Sequence, residues 1–105
     1  MIATKERIKV MKVNDLPKQI GKELHIKDKS IALFHLTNGE VYAIGSRCPH
    51  TNGPLAEGIV SGDYVYCPLQ DWKVSLRTGE VQKPDDGKVE TYETEIFNDY
   101  VYVKV

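Results

Sequence analysis

Apolar and polar residues in this chain alternate in short runs, and the runs are punctuated at the spacing of a small all-β fold rather than that of helices. From Arg7 to Val13 the positions Ile8, Val10 and Lys12 oppose Lys9, Met11 and Val13, which predicts a first strand. Asn14-Asp15-Leu16-Pro17 breaks it, with Asn14 or Asp15 placed to cap one short turn ending near Gly21. Ser30 to Leu36 predicts a strand and Val41 to Ile44 its return. The intervening Thr37-Asn38-Gly39-Glu40 predicts a tight hairpin turn with positive φ at both Asn38 and Gly39. The chain closes with two strands around Asn98-Asp99. Glu90, Tyr92, Thr94 and Ile96 would share one face, and Val101, Val103 and Val105 an inward one.

Between Gly45 and Gly62 the pattern gives way to loop, with Pro49, Gly53, Pro54 and Gly58 in that stretch. Tyr64-Val65-Tyr66 predicts a short strand delivering Cys67, followed by a strand from Trp72 to Leu76 and turns at Arg77–Glu80 and Pro84–Gly87. Both Cys-bearing loops thus follow short β-segments, as in two hairpins that project from a sandwich and hold something between their tips. The organisation expected is a single domain over 1–105, with a smaller loop subdomain at about 46–76. No repeat or low-complexity segment interrupts it.

Composition narrows the classes. With 105 residues, 41% hydrophobic and 28% charged, the chain is long enough for one core without disulfide staples and is neither disordered nor membrane-spanning in character. The longest apolar run, Ile31-Ala32-Leu33-Phe34, is too short to cross a bilayer, and charged Lys5, Glu6, Arg7 and Lys9 stand where a secretory signal would be apolar. A cytoplasmic setting is expected, in which two cysteines bind metal or stay reduced. The net charge of −1 argues against a general nucleic-acid binder. Charge is uneven: residues 1–50 carry nine Lys/Arg against five Asp/Glu, and 51–105 carry five against ten.

The chemistry concentrates in Cys48-Pro49-His50 and Cys67-Pro68-Leu69-Gln70. A Rieske [2Fe–2S] site takes two thiolates on one iron and two imidazoles on the other, from Cys-x-His and Cys-x-x-His loops. Cys48, His50 and Cys67 match; Gln70 stands where the second imidazole belongs. An amide oxygen is a poorer donor to iron than imidazole nitrogen. Three readings stay open: no cluster, with the fold persisting on its own core; an atypical cluster with Gln70 oxygen or water as fourth ligand; or a single metal on Cys48, His50 and Cys67, a Cys₂His set known for zinc. Other residues carry less. His25 and His35 have no Cys or acidic companion that would make a site, Glu57 and Asp63 pair with no nucleophile, and Trp72 reads as a brace beneath the second loop.

Residues 48–58 (Cys-Pro-His-Thr-Asn-Gly-Pro-Leu-Ala-Glu-Gly), with Cys67-Pro68-Leu69-Gln70-Asp71-Trp72-Lys73 and Thr78-Gly79-Glu80-Val81, resemble Rieske-type ferredoxins. More closely, they resemble the small-subunit family of assimilatory NAD(P)H-dependent nitrite reductases, along nearly the whole chain. The resemblance implies an all-β, Rieske-type antiparallel β-sandwich with a small ligand-loop subdomain. It implies a non-catalytic subunit whose large partner carries flavin, sirohaem and a [4Fe–4S] cluster and reduces nitrite to ammonia. Contact would run through the tips around Pro49–Pro54 and Pro68–Asp71. The family includes members without cluster ligands, so the resemblance accommodates either a [2Fe–2S] electron carrier or a cluster-free scaffold. The alternative it leaves is a free-standing Rieske-type ferredoxin that serves an oxygenase.

Overall fold

The computed structural model describes residues 6–26, 28–47, 53–68, 72–82 and 87–105. Among these residues ten strands follow in chain order: β1 (Arg7–Lys12), β2 (Gly21–Ile26), β3 (Lys29–His35), β4 (Val41–Gly45), β5 (Ile59–Ser61), β6 (Tyr64–Tyr66), β7 (Lys73–Ser75), β8 (Thr91–Tyr92), β9 (Thr94–Phe97) and β10 (Tyr100–Lys104). They form three antiparallel sheets, β1-β10-β9, β2-β3-β4-β8 and β5-β6-β7. No helix among the described residues is long and apolar enough to cross a membrane.

The central strand β3 explains the layering. A strand covered on both faces loses its polar alternation and reads as a continuous apolar run, and Ile31 to Phe34 are all wholly buried. Ile31 and Leu33 face one cluster with Leu16, Val41, Ala43, Val101 and Val103. Ala32 and Phe34 face another with Ile44, Leu55, Val65, Cys67 and Val74. The four-stranded sheet is therefore a middle layer, with the β1-β10-β9 sheet on one side and the short β5-β6-β7 sheet on the other. His35 ends β3 as a structural residue: it is buried, and its Nδ1 donates to the Leu16 carbonyl at 2.8 Å. That bond and the Gln19 N–H to His35 O bond at 2.7 Å pin residues 16–19 against the sheet.

The all-β reading holds, and several local expectations do not. The 3-10 turn at Val13–Asp15 is preceded by Lys12, with no side-chain cap, so neither Asn14 nor Asp15 caps it. Gly21–Ile26, which the alternation does not mark, is a strand that pairs along its whole length with β3. The loop expected from Gly45 to Gly62 contains a 3-10 turn at Leu55–Glu57 and strand β5. Glu90 to Ile96 do not form one strand face, because the chain passes at Glu93 from the central sheet (β8) to the outer one (β9). Most of the Pro84–Gly87 turn lies outside the described residues.

The first hairpin turn departs from the expected geometry, which the last one adopts. In the first, Gly39 alone has positive φ (92°); the Gly39 N–H bonds Leu36 O at 3.0 Å and the Leu36 N–H bonds Glu40 O at 2.8 Å. That is a three-residue loop whose glycine takes the left-handed place. Asn98 and Asp99 instead both have positive φ (51° and 66°), the two-residue turn whose twist matches a right-handed hairpin.

Where β8 meets the edge of β4, burial pushes the Tyr92 phenol up to about 12 from 10.0, aided by the hydrogen bond it donates to Glu90 at 3.0 Å and by that carboxylate's charge. The fold favours neutral Tyr92, so this stabilisation is complete below the unfolded value near 10 and is lost as pH rises through about 12. Tyr92→Phe should therefore flatten the decline of Tm between about pH 10 and pH 12. An unchanged alkaline slope would contradict this origin.

Candidate metal-site loops

Cys67 leaves β6 at the heart of the molecule. It is wholly buried among Leu55, Val65 and Val74, with Trp72 packed against the same cluster. Its backbone N–H donates to Trp72 O at 2.8 Å, which closes the second loop at its base. Trp72 thus braces this loop with its backbone as well as its ring. A thiol this deeply buried is either a small hydrophobe or a group whose charge a metal neutralises.

The first loop is closed in the same way. Arg47 bridges Pro54, and Leu55 N–H donates to Ser46 O at 2.9 Å, while Ser46 N–H donates to Ser30 O at 3.2 Å. Leu55, wholly buried, anchors the returning chain in the same cluster as Cys67. Both loops are then joined by the β5–β6 ladder, in which Ile59 lies opposite Tyr66, the residue before Cys67. Gly58 makes this approach possible: a Cβ there would overlap the Tyr66 carbonyl oxygen and press on Val65 Cγ2. Around the first loop the charge is mixed. Arg47 lies 3.8 Å from the half-buried Glu23, which also lies 3.5 Å from His25 Nε2, and His25 Nδ1 is 3.0 Å from Ser30 Oγ.

Of the four sequence-derived site residues the structure places Cys67; Cys48, His50 and Gln70 lie outside the described residues. Among the described residues no group of three or more His, Cys, Asp or Glu is arranged to hold a metal. The framework fits a cluster in two respects. Cys67 is held rigidly at the base of its loop, and the Ser46 hydroxyl, two positions before Cys48, is buried without a hydrogen-bond partner among the described residues. A buried hydroxyl without an acceptor among the described residues suits a site that brings its own electron-rich acceptor. The donor set fits at Cys48, His50 and Cys67 and departs at Gln70. Gly58 carries no signal of its role in sequence, because its importance lies in a close approach between segments.

The chain is 32% identical over 85 residues to human apoptosis-inducing factor 3, which covers 80% of this chain and only 13% of that protein. It is 36% identical over 75 residues to the 3-phenylpropionate/cinnamic acid dioxygenase ferredoxin subunit of Escherichia coli K12, covering 70% of this chain and 69% of that one. In fold it superposes on a Mycobacterium tuberculosis chain assigned as an NADH-dependent nitrite reductase small subunit with a TM-score of 0.90. That match covers 98% of this chain and 97% of the other at 21% identity. The family model for the Rieske-like [2Fe-2S] domain matches residues 6–104. With the layered sheets, the two pinched loops and Cys67 at their junction, this match establishes that the chain belongs to the Rieske-like [2Fe-2S] domain family.

Proposed function

We propose that this chain is the small, non-catalytic subunit of an NAD(P)H-dependent nitrite reductase. It docks on a large subunit that carries flavin, sirohaem and a [4Fe–4S] cluster and reduces nitrite to ammonia. The observation that carries the reading is the end-to-end likeness of fold to the Mycobacterium tuberculosis chain, which accounts for nearly the full length of both. Gln70 supports it from the other side. A free-standing carrier depends on a complete ligand set, whereas a subunit held in a complex keeps a role when the set is short by one imidazole.

Cys48, His50 and Cys67 are the residues that would hold iron, with Gln70 the weak fourth position. A bound [2Fe–2S] cluster supplies a one-electron relay, and histidine ligation raises its potential to about −150 to +300 mV from roughly −400 mV for an all-cysteine site. The chain's own contribution is to fix Cys67 through Trp72, to close the first loop through Arg47 and Pro54, and to present the tips to the partner. Ile59, 73% exposed beside Tyr66 at the junction of the loops, supports a protein-docking role for this end.

A second reading, a free-standing ferredoxin that delivers electrons to an oxygenase, is favoured by the 36% identity to the dioxygenase ferredoxin subunit. Co-expression separates the two. The proposed subunit co-purifies in equal amounts with the sirohaem-bearing large subunit from the same organism. A chain that elutes alone and shows a reversible visible spectrum of its own supports the ferredoxin.

A further inference from the structure

Asn-Gly pairs are chemically weak points in a polypeptide. The glycine nitrogen, unhindered by a side chain, loses its proton and attacks the asparagine Cγ. The new N–C bond closes a succinimide, the side-chain nitrogen leaves as ammonia with that proton, and water then opens the ring to aspartate or isoaspartate. No electrons are transferred, and water is the one co-reactant. The sequence holds two such pairs, Asn38-Gly39 and Asn52-Gly53, and the first lies within the described residues at the tip of the β3–β4 hairpin.

Shape does not protect this pair. Asn38 is exposed, and a Cβ added to Gly39 would meet nothing within 4 Å among the described residues. Hydrogen bonds hold it instead. The attacking Gly39 N–H already donates to Leu36 O at 3.0 Å. The leaving nitrogen, Asn38 Nδ2, donates to Glu40 Oε1 at 2.8 Å, and the Glu40 N–H donates to Asn38 Oδ1 at 3.0 Å. The carboxylate is itself fixed. Tyr42 donates to the same Oε1 at 3.0 Å, and Arg77, which donates to Asp63 at 2.9 Å, lies 3.4 Å from it. The hairpin, strand β4 and the turns of the loop-bearing β5-β6-β7 sheet thus meet at Glu40.

We infer that Asn38 is a deamidation site, held closed in the folded chain by the Glu40 carboxylate. Each step of the reaction works against that group. The deprotonated Gly39 nitrogen and the oxyanion that develops on Asn38 Oδ1 would both form beside a negative charge, and a like charge nearby disfavours an anion. Departure of Nδ2 gives up its bond to Oε1, which is of the strong, charge-assisted kind. The products show why closure matters. Aspartate at this position would set a second carboxylate beside Glu40 and remove the donor. Isoaspartate would also lengthen the backbone of a short loop whose ends are joined by the Leu36–Glu40 bond. Either would loosen the corner at which Arg77 ties the hairpin to the loop-bearing sheet.

Peptide mass spectrometry of the full chain, kept at mildly alkaline pH with and without urea, tests this. Asn38 in the folded parent should deamidate at least about tenfold more slowly than in urea, since one hydrogen bond to a charged group is worth about a factor of ten or more. Glu40→Ala should recover most of the rate seen in urea. Glu40→Gln, which keeps the acceptor and drops the charge, should fall between Glu40→Ala and the parent. Glu40 is exposed, so both variants keep the fold. Val101→Ala, which loosens the buried side of the outer sheet and leaves Glu40 untouched, should deamidate like the parent. A folded parent as labile as the chain in urea overturns the proposal. So does a Glu40→Ala variant no faster than the parent, or a Val101→Ala variant accelerated as much as Glu40→Ala.

Discussion

Gln70→His should give a chain that holds two irons and two acid-labile sulfides and loses them far more slowly in air than the parent. The substitution exchanges a weakly donating amide for imidazole nitrogen and restores the Cys-x-x-His half of a Rieske site beside Cys48, His50 and Cys67. Even the partners that merely orient a metal ligand are worth about 10–100-fold in affinity. A direct ligand should therefore gain at least that, read as about a tenfold or greater lengthening of the half-life of the visible absorption. The comparison is made on protein purified without oxygen, with iron and sulfide counted per chain for both forms. Equal iron content and equal air stability would show that position 70 is not a ligand position, and the assignment of the second loop would fall with it.

Phe34→Ala should be the most damaging single change to the fold. Phe34 is wholly buried on the face of β3 that meets Leu55, Val65, Cys67 and Val74. Its ring also occupies the space above Gly21, where an added Cβ would come within 2.7 Å of Phe34 Cε1. Removing a buried phenylalanine costs about 3–5 kcal/mol, because the contacts are lost and the cavity is only partly filled by relaxation. Against a total stability of about 5–15 kcal/mol that is a large share. At roughly 4–8 °C per kcal/mol for a domain of this size, Tm should fall by at least about 12 °C. Ile96→Ala, at an exposed position, should change stability by only about 0.5 kcal/mol. A Phe34→Ala variant as stable as Ile96→Ala would contradict the three-layer packing, since a residue between only two loosely packed elements is what tolerates truncation.

The sequence made some of this legible for identifiable reasons. Strand β3 could be read because a run of Ile, Ala, Leu and Phe has one plausible extended use in a chain otherwise built of short alternating segments. That it is covered on both faces was also implicit in the run. The hairpin at Asn98-Asp99 was visible from turn chemistry. Strand β2 was not, since Gly-Lys-Glu-Leu-His-Ile has little β-propensity of its own and is extended because β3 offers it a complete ladder. Strand β5 hid for a different reason: Ile59-Val60-Ser61 is only three residues long between Gly58 and Gly62, and it is fixed as a strand by three cross-strand pairs with β6. The break at Glu93 was invisible because alternation continues across it while the chain changes sheets.

The site divides along the same line. Ligand identity is a matter of residue type and spacing, so Cys48, His50, Cys67 and the anomaly at Gln70 stood out at once. The apparatus around them is tertiary: the Arg47–Pro54 bridge, the Trp72 carbonyl under Cys67, and Gly58 against the Tyr66 carbonyl each join segments separated in sequence.

An activity titration is the decisive experiment for the proposed role of the chain in completing a nitrite reductase. The large subunit is prepared without this chain, and NAD(P)H-driven reduction of nitrite to ammonia is followed as the chain is added. Activity should rise with added chain and saturate at one chain per large subunit. Activity indifferent to the chain, together with electron delivery from the isolated chain to a Rieske oxygenase, would contradict it.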